Sequence, residues 1–567
     1  MEPISQGARS VGASVSPDEC GFAPERRMAD TPRRDFTHGG SAMNPLTRLI
    51  AAMSTVVLGL TLTVPAARSG ETDMSNRIVE TSIADLQAQM ESGESTSESI
   101  TQAYLARIES LDDELDAVLV VNPDAAAQAR ALDEERRAGK VRGPLHGIPI
   151  LLKDNIESRD PMPTTAGSLA LAHNVTGRDA FLVARLRAAG AVILGKTNLS
   201  EWANFRSERS SSGWSGVGGQ TKNPYDVTRT PCGSSSGSGV AVAASFATAA
   251  IGTETNGSIV CPSTVNGVVG IKPTVGLVSR SGVVPISHSQ DTAGPMARSV
   301  TDAVLVLQSM IGRDESDAAT SAADRARDWQ LVSHLRPDGL EGKRVGVVRS
   351  VAGFHTEVDK LFERAITDLQ AGGATIVDSL AFEGEDGLGQ AAYDVLLYEF
   401  KHDLNAYLAS LPGVDDLPAS TLEELIAFNN EHADQEMPFF DQEVFEYSQA
   451  KGPLSDEAYK KALELVQRAC REDGIDKLMA EHHLDALIAP TGAPAWKIDL
   501  IDGDHFIGGS SSYPARAGYP DITVPMGTVH GMPVGLSFFG PAFSEPTLIE
   551  IAFAYEQATH HRVPPKL

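Results

Sequence analysis

Short apolar runs bounded by turn residues alternate with amphipathic stretches over most of the chain, and this alternation predicts an α/β protein. Apolar positions recur at helical spacing at Ile83, Leu86 and Met90, and again at Ile100, Tyr104, Leu105 and Ile108. Ser95-Thr96-Ser97-Glu98 between them is a capping signal, so two helices are expected over residues 78–111. Residues 117–121 form a short strand candidate, and 124–138 an alanine-rich, charged helix. The run 148–152 reads as a buried strand with Lys153 at its end. A helix over 181–189 and a strand over 191–194 follow, then a Ser/Gly-rich loop over 207–226. Strands are expected at 268–272 and 283–287, a turn at 291–295, and a helix at 300–311. The polar stretch 314–327 reads as an exposed connector.

Beyond it the pattern gives a strand at 344–349, a helix at 358–371 and a strand at 374–378. Residues 390–411 and 417–470 are mostly helical and acidic, which marks about 385–480 as a helical, substrate-facing insert. The chain then returns to α/β form, with strands at 484–489, 522–525 and 534–539 and a closing helix at 548–560. No internal repeat is visible. A chain of 567 residues exceeds one ordinary core, so one large domain with insertions, or two domains, is expected. The pattern favours a single domain over residues 75–567.

Residues 1–42 lack apolar periodicity and read as disordered or as an upstream extension. Met43 opens a secretory signal in form: Arg48, an apolar run from Leu49 to Val64, and the small-residue site Val64-Pro65-Ala66. Residues 43–66 are thus expected to be removed, leaving an exported, periplasmic or secreted protein with no stable membrane association. The net charge of −28 argues against a nucleic-acid partner, which needs clustered Lys and Arg. The four cysteines form no CxxC, and neither zinc spacing nor HExxH occurs, so no metal is expected. Cys232 and Cys261 read as two buried small hydrophobes in preference to a disulfide.

The most distinctive stretch is 230–263, TPCGSSSGSGVAVAASFATAAIGTETNGSIVCPS. Two Gly/Ser clusters, 233–237 and 256–258, flank a small-residue apolar run, which predicts one cluster at each end of a buried helix. A phosphate loop is disfavoured because the Gly-Lys-Ser/Thr ending is missing. A nucleophile elbow centred on Ser235 would need a strand before it, where two prolines and a polar run stand instead. Ser448 to Lys451 matches S-x-x-K in a charged helical region without its companion motifs and reads as coincidence. A lysine ending a core strand is usually solvated at the sheet rim; buried, it would be a neutral amine able to act as a base.

Taken together, PLHGIPILLKDN and CGSSSGSGVAVAASFATAAIGTETNGSIVCPS resemble the amidase signature family. The likeness runs from about residue 78 to the C-terminus through GKTNLSEW, GIKPTVGLVSR, DTAGPMARS and PVGLSFFG, and is closest in look to bacterial peptide amidases. It implies a mixed central sheet covered by helices and a Ser–cis-Ser–Lys triad. Carried over, Ser258 is the nucleophile, Ser234, after a cis peptide, relays the proton, and Lys153 is the base. The amides of Thr255, Asn256, Gly257 and Ser258 resemble the oxyanion hole. Ser235 either supports this network and the substrate or caps a helix. The resemblance implies hydrolysis of a small-molecule or peptide carboxamide through an acyl-enzyme, with C-terminal peptide amides as the narrower expectation and no cofactor. Rival readings are a broad aryl or aliphatic amidase or esterase, a component of a tRNA amidotransferase, disfavoured by signal and acidity, and a non-catalytic binding protein. Where family members handling small carboxylates often carry Arg, two residues after the nucleophile, this chain has Val260.

Overall fold

The computed structural model describes residues 77–567; the upstream extension and the signal segment expected at 1–66 lie outside the described residues. Eleven strands make one mixed sheet: β1 Val118–Val121, β2 Pro149–Lys153, β3 Val192–Thr197, β4 Ala249–Glu254, β5 Val269–Lys272, β6 Thr292–Ala297, β7 Arg344–Val348, β8 Thr375–Leu380, β9 Ala486–Pro490, β10 Asp521–Val529 and β11 Met532–Phe539. Their order is β1-β3-β2-β4-β6-β5-β10-β11-β9-β7-β8. β2 runs parallel to both β3 and β4, while β4, β6, β5, β10, β11 and β9 pair antiparallel in turn. Helices flank the sheet, and every residue of β2 is buried, as its unbroken apolar run requires. The helix Ser97–Leu115 starts where the capping signal placed it. Thr96 and Ser99 exchange backbone-to-hydroxyl bonds across its first turn.

Five expectations are corrected, four of them in the course of the backbone. The small-residue run after Ser234 is not one helix: Ser236–Ala243 is helical, the chain reverses at Ser245 with φ +57°, and β4 follows. The two serine clusters therefore sit at a helix start and a strand end. The expected turn at 291–295 is β6, deep in the sheet. Gly294 is there for close approach, since a Cβ would lie 1.9 Å from the Ile271 carbonyl. The expected strand at 283–287 forms only a single bridge, Val283 to Ile156. Pro285 has no N–H to give a ladder, and the Ile286 and Ser287 amides go to the Asp291 carboxylate at 2.7 and 2.8 Å. The connector 314–327 is partly buried, with Asp317, Thr320, Ala323 and Ala326 turned inward.

Cys232 and Cys261 form a disulfide, which overturns their reading as two separate hydrophobes. Sequence alone could not bring them together; two asparagines do. Asn266 Nδ2 donates to the Pro231 carbonyl at 2.9 Å, and Asn223 Nδ2 to Thr230 and Val265 at 3.1 and 3.0 Å. Segment 230–232 is thus held along the helix Val260–Val265. On loop-entropy grounds a bridge over 29 residues restricts the unfolded chain by about 3–4 kcal/mol.

The acidic region is helical, with Leu388–Ala409, Leu422–Glu431, Glu443–Gln449 and Glu457–Cys470 as its main helices. Phe400, Leu404, Leu425 and Phe445 pack against Trp202 and Ile286 of the α/β body. Ser448 bonds its own helix at Val444 and Lys451 pairs with Asp394, so the S-x-x-K match holds no joint site. Among the described residues, no helix is long and apolar enough to cross a membrane.

Candidate active site

Lys153 ends β2 with no solvent exposure, so the rim position usual for such a lysine does not apply. Its Nζ donates to Ser234 Oγ at 2.7 Å, to Thr253 Oγ1 at 2.8 Å and to the Thr253 carbonyl at 3.3 Å. Burial lowers its pKa to about 7, against the pull of the Asp291 and Glu254 carboxylates. The amine is therefore substantially neutral near pH 7.

Ser234 follows a cis peptide bond from Gly233. Its carbonyl accepts from the Ser200 amide at 3.1 Å, which fixes the turn from the other side. Ser258 lies in the loop between β4 and the helix Val260–Val265, 8% exposed. Backbone joins the two clusters: the Ser235 amide donates to the Ser258 carbonyl at 3.1 Å. Among the described residues no hydrogen bond links the Ser234 and Ser258 hydroxyls, and the one Ser234 makes goes to Lys153.

Ser235 faces β4. It is fully buried, its hydroxyl donates to the Thr253 carbonyl at 3.0 Å and accepts from the Thr253 amide at 3.2 Å, and it makes no cap bond. The helix-cap reading lacks its bond, and what remains is the supporting role: a hydrogen-bonded strut that docks the Ser234 turn on β4. Gly252 leaves room for it, since a Cβ there would lie 2.8 Å from Ser235 Oγ.

The Gly257 amide is also taken: it donates to Glu254 Oε1 at 2.8 Å. Glu254 Oε2 accepts from Ile259 at 2.8 Å and Val260 at 3.0 Å. One buried carboxylate thus clasps the loop on both sides of Ser258, and Gly257, at φ +83°, makes the bend. Of the four loop amides expected to face a substrate oxygen, that of Gly257 is thus engaged within the loop. Thr255 Oγ1 donates to Asp291 at 2.6 Å, and Asn256 meets Ser511 and Ser512 at 2.8 and 3.4 Å. Burial raises the Asp291 carboxyl to about 6. Sequence reasoning passed over Thr253, Glu254 and Asp291. The available signal was an acid, Glu254, inside an otherwise small and polar-neutral run four residues before Ser258.

A cavity of about 340 Å³ opens beside Thr253–Thr255. Val283, Val284 and Ile286 give it an apolar wall, and its lining also carries the Arg280–Asp317 ion pair and the His288–Asp403 pair. His288, Glu399 and Asp403 bring ligand atoms within 4.8 Å of one another, as a metal site would. Their oxygens take internal hydrogen bonds: Glu399 accepts from Ser287, Ser289 and Tyr459, and Asp403 from His288 and His402. Burial opposes charge on His288, but Asp403 and Glu399 outweigh it and hold its pKa above the ordinary value. The three side chains form a salt-bridge network.

The chain matches the family described as Amidase over residues 99–549. It is 43% identical over 498 residues to the probable amidase At4g34880 of Arabidopsis thaliana, covering 86% of this chain and 92% of that one. It is 35% identical over 491 residues to a glutamyl-tRNA(Gln) amidotransferase chain from Symbiobacterium thermophilum, covering 84% and 96%. Native peptide amidase from Stenotrophomonas maltophilia superposes with a TM-score of 0.82 at 52% identity, over 86% of this chain and 98% of that one.

Proposed function

The chain belongs to the amidase family and is an amide hydrolase; from that premise we propose that it cleaves C-terminal carboxamides of peptides through Ser258, Ser234 and Lys153. One observation carries the reading: a buried, solvent-free amine lies 2.7 Å from the Ser234 hydroxyl, next to the Ser258 loop. A serine hydroxyl is a weak nucleophile without a base, and an amine with pKa about 7 is neutral often enough to serve. Ser258 Oγ attacks the carboxamide carbon as its proton passes to Ser234 and the Ser234 proton to Lys153. The relay needs the two serine hydroxyls to meet, a bond that forms only when substrate fills the loop. Negative charge on the carbonyl oxygen is met by the Thr255, Asn256 and Ser258 amides. Lys153 returns its proton through Ser234 to the leaving nitrogen, the C–N bond breaks, and ammonia departs. Water then attacks the Ser258 ester by the same relay and frees the acid.

The peptide preference rests on the 52% identical peptide amidase neighbour and on the cavity, which offers an apolar wall beside Thr253–Thr255 and charged groups in its lining. A broad aryl or aliphatic amidase or esterase would use the same three residues. The amidotransferase relatives favour a role as one part of a tRNA-modifying assembly, but a chain of net charge −28 is poorly suited to an RNA partner. We also propose that the protein is exported. The apolar run 49–64 after Arg48 and the Cys232–Cys261 disulfide both support this. A panel of peptide carboxamides, free amino-acid amides, aryl amides and the matching esters tests the substrate. We expect the highest kcat/KM on peptide carboxamides and no turnover by Ser258→Ala on any of them. Faster turnover of aryl amides or esters would replace the peptide reading, and activity in Ser258→Ala would remove the nucleophile.

A further inference from the structure

Both reactive serines lie inside the loop that one covalent bond closes. Cys232 stands two residues before Ser234, and Cys261 three after Ser258, so the bridge ties the turn carrying one hydroxyl to the helix start carrying the other. The two cysteines are fixed to these elements locally as well. The Cys232 carbonyl accepts from Ser236 Oγ at 2.6 Å, and the Cys261 amide donates to the Gly257 carbonyl at 2.7 Å. Motion at either sulfur is therefore passed to Ser234 or to the Ser258 loop within one turn. Elsewhere the segments are joined by the Asn223 and Asn266 amides, by Cys232 packing with Val265, Trp496 and Met532, by the Ser235-to-Ser258 backbone bond, and by a shared seat on β4, where Ser235 bonds Thr253 and Glu254 clasps the Ser258 loop. Those contacts keep the segments together without the disulfide, but hydrogen bonds and packing hold a spacing less tightly than a covalent bridge.

We propose that the Cys232–Cys261 disulfide is a positioning element of the catalytic centre, setting Ser234 against Ser258, so that turnover depends on its redox state while the fold does not. The proposal rests on the Ser258–Ser234–Lys153 reading. Reduction would proceed through Cys261, which is half-buried where Cys232 is buried. A thiolate of an external dithiol attacks the Cys261 sulfur, the S–S bond breaks and Cys232 leaves as thiolate. The second thiol of the reagent then displaces Cys261 from the mixed disulfide. The reagent is oxidised to its own disulfide by two electrons, and the two protein thiolates take up two protons.

The test compares the full-length mature enzyme oxidised, reduced with dithiothreitol, and as a Cys232→Ala/Cys261→Ala double variant. Reduction is verified as two additional free thiols by mass spectrometry. Steady-state kinetics on one peptide carboxamide, the rate of Ser258 labelling by a fluorophosphonate, and the melting temperature are measured on each. Misplacing a reacting atom by about 1 Å costs on the order of 100-fold, so kcat and labelling rate should fall together by about 10- to 100-fold. KM should stay within about threefold, far-UV circular dichroism should be unchanged below the melting temperature, and reoxidation of the reduced sample should restore the rate. Unchanged kcat with both thiols counted overturns the proposal. So does a loss that only follows the unfolded fraction, including failure of the reduced enzyme to stay folded. Absence of Ser258 labelling in the oxidised enzyme would instead remove the triad reading itself.

Discussion

Lys153 ends β2 and Lys196 is the last residue but one of its parallel neighbour β3; both are fully buried, yet their surroundings divide them. Lys196 Nζ lies 3.6 Å from the Asp154 carboxylate and bonds the Ile156 carbonyl and Thr164 hydroxyl, which suits a charged structural amine. Lys153 meets two hydroxyls and a carbonyl. Burial lowers both pKa values, and for Lys153 the result is about 7. The sign for activity follows directly. Below that value the amine is protonated and cannot accept the Ser234 proton; above it the base is free. We expect kcat/KM to rise about tenfold per pH unit below pH 7 and level off above it. Lys153→Arg, always charged, should lose at least about 10³-fold. A flat profile from pH 5.5 to 9, or an active arginine variant, would remove Lys153 as the base. Residue identity pointed to the amine but left its state open. Rim and interior lysines look alike in sequence, and only the pairing of β2 with β3 and β4 buries this one.

At the scale of elements, the helix Ser236–Ala243 matters more than its length suggests. Gly237 sits in its first turn, and a Cβ there would lie 2.2 Å from the Ala117 carbonyl and 2.7 Å from both backbone N and O of Asn198. The helix is thus pressed onto the start of β1 and the end of β3, and Ser234 hangs from its beginning. Gly237→Ala must push the helix off that seat. We expect destabilisation of about 1–3 kcal/mol, read from denaturant midpoints, and a fall in kcat beyond what the folded fraction explains. A variant with wild-type kcat would show that the seat does not position Ser234. The strands with plain apolar runs, β2, β3, β5 and β11, were legible because their residues face the core on both sides. β6 was not: Thr-Ala-Gly-Pro spells a turn wherever local chemistry decides, and here tertiary packing against β4 and Ile271 decides instead. The reverse error at 283–287 has the same origin, since an apolar pentapeptide predicts burial but not a strand partner.

For the whole molecule, the sheet, its helices and the meeting of Lys153 with Ser234 could be anticipated from the motifs, whereas the cavity, the Glu254 clasp and the disulfide could not. Each of those depends on segments far apart in sequence meeting at one place. Export is a property at this scale, and the start of the mature chain tests it. N-terminal sequencing of protein recovered from the producing cell should give a start near Ala67; a start at Met1 or Met43 would reject cleavage.

The helical region is locked to the α/β body by more than apolar packing. Glu201 and Arg206 are an ion pair 2.8 Å apart with no solvent exposure, and the Arg206 guanidinium lies over the Phe440 ring at 4.4 Å. Glu436 accepts from Ser168 Oγ and the Leu169 amide at 2.9 and 2.7 Å, and the Val444 amide donates to the Arg206 carbonyl at 3.2 Å. A buried ion paired in this way is costly to leave half-matched. The region is therefore not portable. Exchanging residues 388–449 for those of a relative, as one would to move substrate preference between enzymes, transfers the cleft wall only if Arg206, Ser168 and Leu169 find their counterparts in the graft.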